Sequence, residues 1–404
     1  MHRLLALCTA MACLLCGCGA TGDGAGQTAK EELTIVLWDY DKTSYDRRLV
    51  ETFENTHPGV YVRVISYADA YYDEKMEALL VGGKPVDVVF TRVMESLRTL
   101  HEYNLIVPLD EFVTQYGLDL AGSPDLNAMR YDGALYGVPY RKDRYVLVYN
   151  CDLFDRAGVE YPASGITWEQ VHALAPRLQS GLPADAHAMM VLPMDVQWVA
   201  SGRRMRAEGG AGLRPIMELL LDLQNQGAAP VYGDCIAQDI QQQCFELGTY
   251  GMYIGGTWYL NYLATDQKAG RFDFRWGVTT APYWQGDAPE EGAVIRSGLS
   301  ICRQSRNKAL AWEFIRFASG ADGARIMAEE QMMPAYMNDE IAEVYRRNFM
   351  GTVLDPLVYQ QSAQQAETSI DAKQMQRMCE AFRACLTGRK TLDEAVQMAD
   401  GRAE

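Results

Sequence analysis

The side chains able to do chemistry in this 404-residue chain are plentiful, yet none has catalytic spacing. Among 53 aspartates and glutamates no motif singles out two as an acid/base pair. There is no Gly-x-Ser-x-Gly elbow, no His-Glu-x-x-His zinc pair and no phosphate-binding P-loop. The five histidines are scattered at 2, 57, 101, 172 and 187, and no cysteine pair has metal-ligand spacing. Neither a metal nor a cofactor is expected. Asp39 and Asp41 do not make a calcium loop, because the downstream glycine and glutamate of that motif are missing. What stands out instead is one short run of alternating aromatic and acidic residues, Trp38-Asp39-Tyr40-Asp41, and a second run carrying two charges, Thr91-Arg92-Val93-Met94-Glu95. Flat apolar rings beside short carboxylates and guanidiniums suit reversible binding of a small solute.

The elements that must position these runs follow from periodicity. Leu33 to Trp38 is a buried strand by its apolar run, and Asp46 to Asn55 is a helix with Leu49, Val50 and Phe53 on one face. Val60 to Tyr67 reads as a strand, Tyr71 to Val81 as a helix ended by Gly82-Gly83, and Val86 to Phe90 as a third strand. A helix through Leu97 and Leu100 follows. Strand, helix, strand, helix, strand predicts a parallel, doubly wound α/β sheet, whose ligands bind beyond the carboxyl ends of the strands. Both runs fall at such ends. Further along, Tyr145 to Tyr149 reads as a strand, Asn150 to Phe154 and on to Ala157-Gly158-Val159 as a short helix with a glycine stop, and Thr167 with Gln170 as a capping box. Thr391 and Glu394 form a second such box, after a helix through Met375, Met378, Phe382 and Leu386.

The N-terminus carries a different signal. His2 and Arg3 precede a twelve-residue apolar run, Leu4 to Leu15. As a helix this run is roughly 18 Å long, short of the ~30 Å bilayer core, so it reads as a signal peptide over residues 1–17. Gly17-Cys18 resembles a lipobox, which makes Cys18 the site of lipidation. Small polar residues follow, and 18–32 is expected to be a flexible tether reaching up to about 40 Å at ~3.3 Å per residue.

Longer motifs carry a family resemblance. Asp132-Gly133-Ala134-Leu135-Tyr136-Gly137-Val138-Pro139, then Val148-Tyr149-Asn150-Cys151-Asp152, then Thr167-Trp168-Glu169 resemble the D-G-x-x-Y-G-x-P, Y-Y-N-K-D and T-W-x-E blocks of family 1 extracellular solute-binding proteins, the sugar receptors of bacterial ABC importers. Phe245 to Trp258 is similar to that family's F-x-x-G-x-A-A-M-x-x-x-G-x-W, and Gly298 to Ile301 before the helix Ala309 to Ala318 to its returning strand. Cys151 stands where the family often has lysine. The resemblance, from about Leu33 to Ala399, implies a two-lobe periplasmic-binding-protein-like fold of type II topology, with a cleft between lobes joined by crossing strands. It places the lobes at 33–143 plus 296–320 and 144–295 plus 321–404, with crossings near Arg141–Tyr145, Ala293–Gly298 and Ser319–Gly323.

The same resemblance selects binding candidates. Trp258, after Gly255-Gly256, is the stacking platform. Alternation along an extended chain sends Trp38 and Tyr40 to one side and Asp39 and Asp41 to the other, leaving open which pair faces the cleft. Arg92 and Glu95 are ligand contacts or solvated helix-start charges. Arg141, Asp143 and Arg144 grip a polar ligand or form hinge ion pairs. One of Tyr283 and Trp284 lines the cleft, and Trp198, Arg296 and Tyr336 are weaker candidates.

The implied partners are a carbohydrate, an ABC permease and, through the lipid only, the outer face of the cytoplasmic membrane, with the protein a monomer. A net charge of −16 argues against nucleic acid as a partner. Four of ten cysteines lie in the signal region, and of the rest Cys235 and Cys244 could bridge. A binding lipoprotein for a non-sugar solute and a ligand sensor for a membrane kinase are the competing functions, with a secreted glycoside hydrolase behind them.

Overall fold

A computed structural model describes residues 30–120, 124–192, 208–287, 294–349, 351–359 and 372–402. The first elements follow the expected order: β1 (Glu31–Trp38), α1 (Ser44–Thr56), β2 (Val60–Tyr67), α2 (Tyr72–Val81), β3 (Val88–Thr91) and α3 (Met94–Glu102). β1 lies between β2 and β3, parallel to both, with Trp38 opposite Tyr67. It begins two residues before the expected start. Glu31 and Glu32 pair with Val60 and Tyr61, so they belong to the sheet and not to a tether. On β1, β3 pairs with Ile35 and Val36, away from the two glutamates, whose side chains are exposed, so their charge costs little here.

The largest departure from expectation is β4 (Val138–Asn150), thirteen residues where the pattern suggested five. Its first half, to Arg144, pairs antiparallel with β8 (Val294–Ile301); β8 in turn lies antiparallel to β3. Its second half, from Tyr145, pairs antiparallel with β6 (Tyr250–Gly256) on one side and β7 (Trp276–Thr280) on the other. β5 (His187–Met190) extends the sheet beyond β6, and β9 (Val353–Leu354) extends it beyond β7. One strand thus belongs to two half-sheets, changing partners between Arg144 and Tyr145. The doubly wound parallel reading holds for β2, β1 and β3; β8 beside them runs antiparallel, and β4, antiparallel to β8, returns to their direction.

Each half-sheet has its own core. The first gathers Leu33, Ile35, Val88, Phe90, Leu97, Tyr140, Leu299 and Ile301 with Trp312 and Phe314 of α8 (Lys308–Ser319). In the second half, the two-residue period of β4 divides the packing. Leu147 and Tyr149 meet α5 (Trp168–Gln179), α6 (Gly210–Asn225), α10 (Ala372–Leu386) and α11 (Leu392–Ala399). Val146 and Val148 face the other way, toward Tyr259, Leu260 and Leu263 of α7 (Thr257–Lys268).

Local signals behave as read. Both capping boxes form, at Thr167 with Gln170 and at Thr391 with Glu394. Gly158 closes α4 (Cys151–Ala157) at φ 63°, a left-handed conformation that glycine adopts without strain. The region expected for the third crossing is a corner between two helices. At Ser319–Gly323 the chain passes directly from α8 into α9 (Ala321–Glu329) at a tight corner, where a Cβ on Gly323 would sit 2.3 Å from the Ala318 carbonyl oxygen. The segment that lies against β4 is further on. The Lys142 N–H donates to the Met333 carbonyl at 3.1 Å, and the Ala335 N–H donates to the Tyr140 carbonyl at 3.0 Å. A register shift at Ser297/Gly298 leaves Tyr140 as the extra residue of β4, a bulge that turns its backbone toward this segment. Among the described residues no helix is long and apolar enough to cross a membrane.

Candidate functional site

Strand register brings the candidate loops to one place. Ser297 lies opposite Arg141, and its hydroxyl donates to the Arg92 carbonyl at 2.9 Å, so the end of β3 lies beside the crossing. From the other half, Gly256 ends β6 opposite Tyr145, and Thr280 ends β7 opposite Val146. The five residues from Arg141 to Tyr145 span roughly 13 Å of extended chain. The continuations of β3, β6 and β7 all leave the sheet there.

Trp258 is half-buried and packs against both the first core and that of α7, the position of a ring between two lobes. Its edge meets Tyr145 at a centroid distance of 5.6 Å. The indole folds back over the end of β6, where a Cβ on Gly256 would sit 1.9 Å from Trp258 Cζ3. The glycine of the Gly-x-Trp motif is therefore the floor on which the tryptophan lies. Among the described residues Tyr336 is the other aromatic side chain packed against both of these cores.

On the first-lobe side, the extended chain stops at Trp38. Asp39 has φ 47° and turns the backbone away. Trp38 is 6% exposed, with Tyr72 at 5.4 Å and the Arg141 guanidinium 5.5 Å from its ring. Tyr40 packs on the first core and is half-buried, while Asp41 is exposed. Asp39 pairs with Lys42 at 3.0 Å and accepts from the Asp69 N–H at 3.3 Å, tying the loops after β1 and β2 together. Arg92 closes the third loop onto them, 2.7 Å from Asp69 and 2.6 Å from Asp73. Burial works against its charge, but the two carboxylates hold its proton affinity above the ordinary guanidinium value. Glu95 points to Arg98, one turn along α3.

The described chain matches, over residues 40–325, the sequence profile of the bacterial extracellular solute-binding proteins. It belongs to that family. A lactose-binding protein of Rhizobium radiobacter is 22% identical over 379 residues, covering 86% of this chain and 83% of the relative. Among solved structures, a sugar transporter of Rhizobium etli in an open conformation superposes with a TM-score of 0.76 at 25% identity, covering 92% of this chain and 98% of that one. An ABC substrate-binding protein of Listeria monocytogenes in complex with cycloalternan gives 0.75 at 20% identity, with the same coverage. The fold is the two-lobe α/β periplasmic-binding-protein fold.

Other candidates of this solute-binding protein lie apart from the open loops. Asp143 is fully buried, accepting from Arg141 Nε at 2.7 Å and from the Thr257 hydroxyl at 2.8 Å. Arg296 is buried too, donating to Asp125 at 2.7 Å while Lys142 donates to the other oxygen at 2.9 Å. Burial raises the Asp125 proton affinity, but the two cations outweigh it and bring it below the usual carboxylate value. Tyr283 and Trp284 continue β7 and are fastened to the start of α5: the Trp168 N–H donates to the Tyr283 carbonyl at 2.9 Å, and the Trp284 ring lies 6.1 Å from Trp168. Arg144 donates to the Leu357 carbonyl at 3.2 Å. Cys235 is buried and Cys244 half-buried, both as thiols. Cys18, Trp198 and residues 1–17 lie outside the described residues.

Sequence reasoning passed over three residues beside the candidate loops. Asp69 and Asp73 hold Arg92, and Tyr262 on α7 is 39% exposed. Burial raises the Tyr262 phenol, and the charges of Arg141, Asp39, Lys42 and Asp69 act on it. The signal was available: Trp258 and Tyr262 are four apart on a helix and share a face.

Proposed function

We propose that this solute-binding protein captures a carbohydrate, in particular an oligosaccharide, between its lobes and delivers it to an ABC permease. The observation that carries the reading is the half-buried Trp258 between two cores, with the Asp39, Asp69, Asp73 and Arg92 loops at the opposing strand ends. A sugar presents C–H faces that stack on indole and hydroxyls that bond to carboxylates and guanidiniums. Contacts from both lobes favour the shut state, so binding and closure are one equilibrium. Relatives that bind lactose and cycloalternan support the solute class. The ligand contacts we assign are Trp258, Trp38, Tyr40, Asp39, Asp41, Arg92, Glu95, Tyr283 and Trp284, with Asp143 and Arg296 acting from beneath.

The lobes are taken as 33–143 plus 296–320 and 144–295 plus 321–404. Cleavage after residue 17 and lipidation of Cys18 would hold the monomer at the outer face of the cytoplasmic membrane, close to its permease. The protein is a receptor and not an enzyme. The test is thermal-shift screening against mannitol, lactose, mannotriose and cycloalternan, with native mass spectrometry for ligand carried through purification. Stabilisation by at least one carbohydrate is expected. Stabilisation only by a solute of another class would overturn the sugar assignment.

A further inference from the structure

One buried cluster at the crossing reaches into both lobes. Arg141 is 9% exposed and Asp143 and Thr257 are fully buried. Arg141 Nη1 donates to the Tyr45 hydroxyl on α1 at 2.8 Å, and its guanidinium carbon lies 5.5 Å from the Trp38 ring at the end of β1. Its Nε donates to Asp143 Oδ2 at 2.7 Å. Asp143 Oδ1 accepts from the Thr257 hydroxyl at 2.8 Å, and Thr257 Oγ1 in turn accepts from the Arg144 N–H at 3.3 Å. Thr257 is the first residue of α7 and Trp258 the second.

We propose that Arg141 and Asp143 are positioning residues that set Trp258 according to the placement of the first lobe, through the relay Tyr45–Arg141–Asp143–Thr257. This deepens the carbohydrate-capture reading and rests on it for its role. A buried ion pair contributes little net stability compared with apolar residues of similar volume, so what this one adds is geometry. Arg141 presents a planar, directional fork, held on the first-lobe side by Tyr45 and Trp38. Asp143 uses one oxygen for that fork and the other for α7. Thr257 spends its single proton on Asp143 and an oxygen lone pair on the β4 backbone, so the first turn of α7 has one seat. A shift of α1 and the β1 end relative to β4 is thereby felt at the indole that stacks on the ligand.

The test uses protein labelled with 5-fluorotryptophan, its Trp258 fluorine resonance assigned by loss in Trp258→Phe. Tyr45→Phe removes the acceptor on the first-lobe side, Thr257→Val removes the hydroxyl while keeping the branched shape, and Thr257→Ser keeps the hydroxyl. We expect the Trp258 resonance to move by more than a linewidth in Tyr45→Phe and further in Thr257→Val, and to return in Thr257→Ser. For the carbohydrate that stabilises the wild type, affinity should fall about tenfold in Thr257→Val and recover in Thr257→Ser. A Trp258 resonance unmoved by Tyr45→Phe overturns the relay, because the indole is then seated locally. The fluorine readout needs no ligand. If no carbohydrate binds the wild type, the capture reading fails while the relay is still decided by the resonances.

Discussion

Replacing Gly256 by alanine tests whether the seat of Trp258 matters for binding. The backbone tolerates the change, since φ −88° and ψ 159° are ordinary extended values. The obstacle is the ring. A Cβ at 256 would lie 1.9 Å from Cζ3 and 2.1 Å from both Cε3 and Cη2 of Trp258, whereas ordinary contact begins at 3.4 Å. The rigid indole must therefore retreat by about 1.5 Å. Overpacking of this kind costs about 1–3 kcal/mol, and at about 2–4 °C per kcal/mol for a lobe of this size the unfolding midpoint should drop by several degrees. A stacking face moved by that distance loses its contact with a sugar, and affinity should fall about tenfold or more. Gly251→Ala is the control. It lies on the same strand, and its Cβ would meet Leu178 Cδ2 at 2.6 Å and the Ala188 carbonyl oxygen at 2.9 Å, in the core under α5. Both variants should melt early in scanning calorimetry, but only Gly256→Ala should lose affinity in titration calorimetry. Equal affinity in the two would refute the reasoning.

Other substitutions probe the frame. Asp46 is 2% exposed, and burial pushes its carboxyl from 3.8 up to about 7 despite the Thr43 hydroxyl, which opposes the shift. The folded protein thus holds a proton that the unfolded chain has lost between those values, and its contribution to stability declines as pH rises from about 4 to 7. Asp46→Asn removes that linkage, and denaturant melts should show the variant gaining on the wild type across this window, by up to ~4 kcal/mol above it. Asp125→Ala takes away the carboxylate that Lys142 and Arg296 share; urea melts should show a loss of about 3–5 kcal/mol, with Lys142→Met recovering part of it. Thr391→Ala removes a capping box from α11, at about 1 kcal/mol by the same melts and without effect on binding.

Much of the frame was legible wherever the signal is local. Val60–Tyr67 alternates and is a strand to the residue, and the Thr167 and Thr391 boxes need only a partner three positions on. The crossing strand was half hidden, because its apolar run begins only at Tyr145 and the four successive charged residues Arg141-Lys142-Asp143-Arg144 interrupt the pattern before it. What buries those charges is remote: Asp125 is 17 residues from Lys142 and 171 from Arg296, and Thr257 is 114 from Asp143. No window along the chain contains those pairs. The same holds for the binding loops. Trp38 and Arg92 were chosen because strand ends point to ligands, but the aspartates at 69 and 73 that hold Arg92 lie in the previous loop and helix. The alternation at Trp38-Asp39-Tyr40 grouped the rings correctly on the first core, though the extended chain it assumed ends at Asp39 with φ 47°.

The central claim is that a carbohydrate is held on Trp258 between the lobes. Titration calorimetry of wild-type protein and Trp258→Ala, side by side with the carbohydrate that stabilises the wild type, tests it most directly. One-to-one binding by the wild type, weakened at least tenfold in a variant that still melts cooperatively, is the predicted result. Undiminished binding by Trp258→Ala would contradict it.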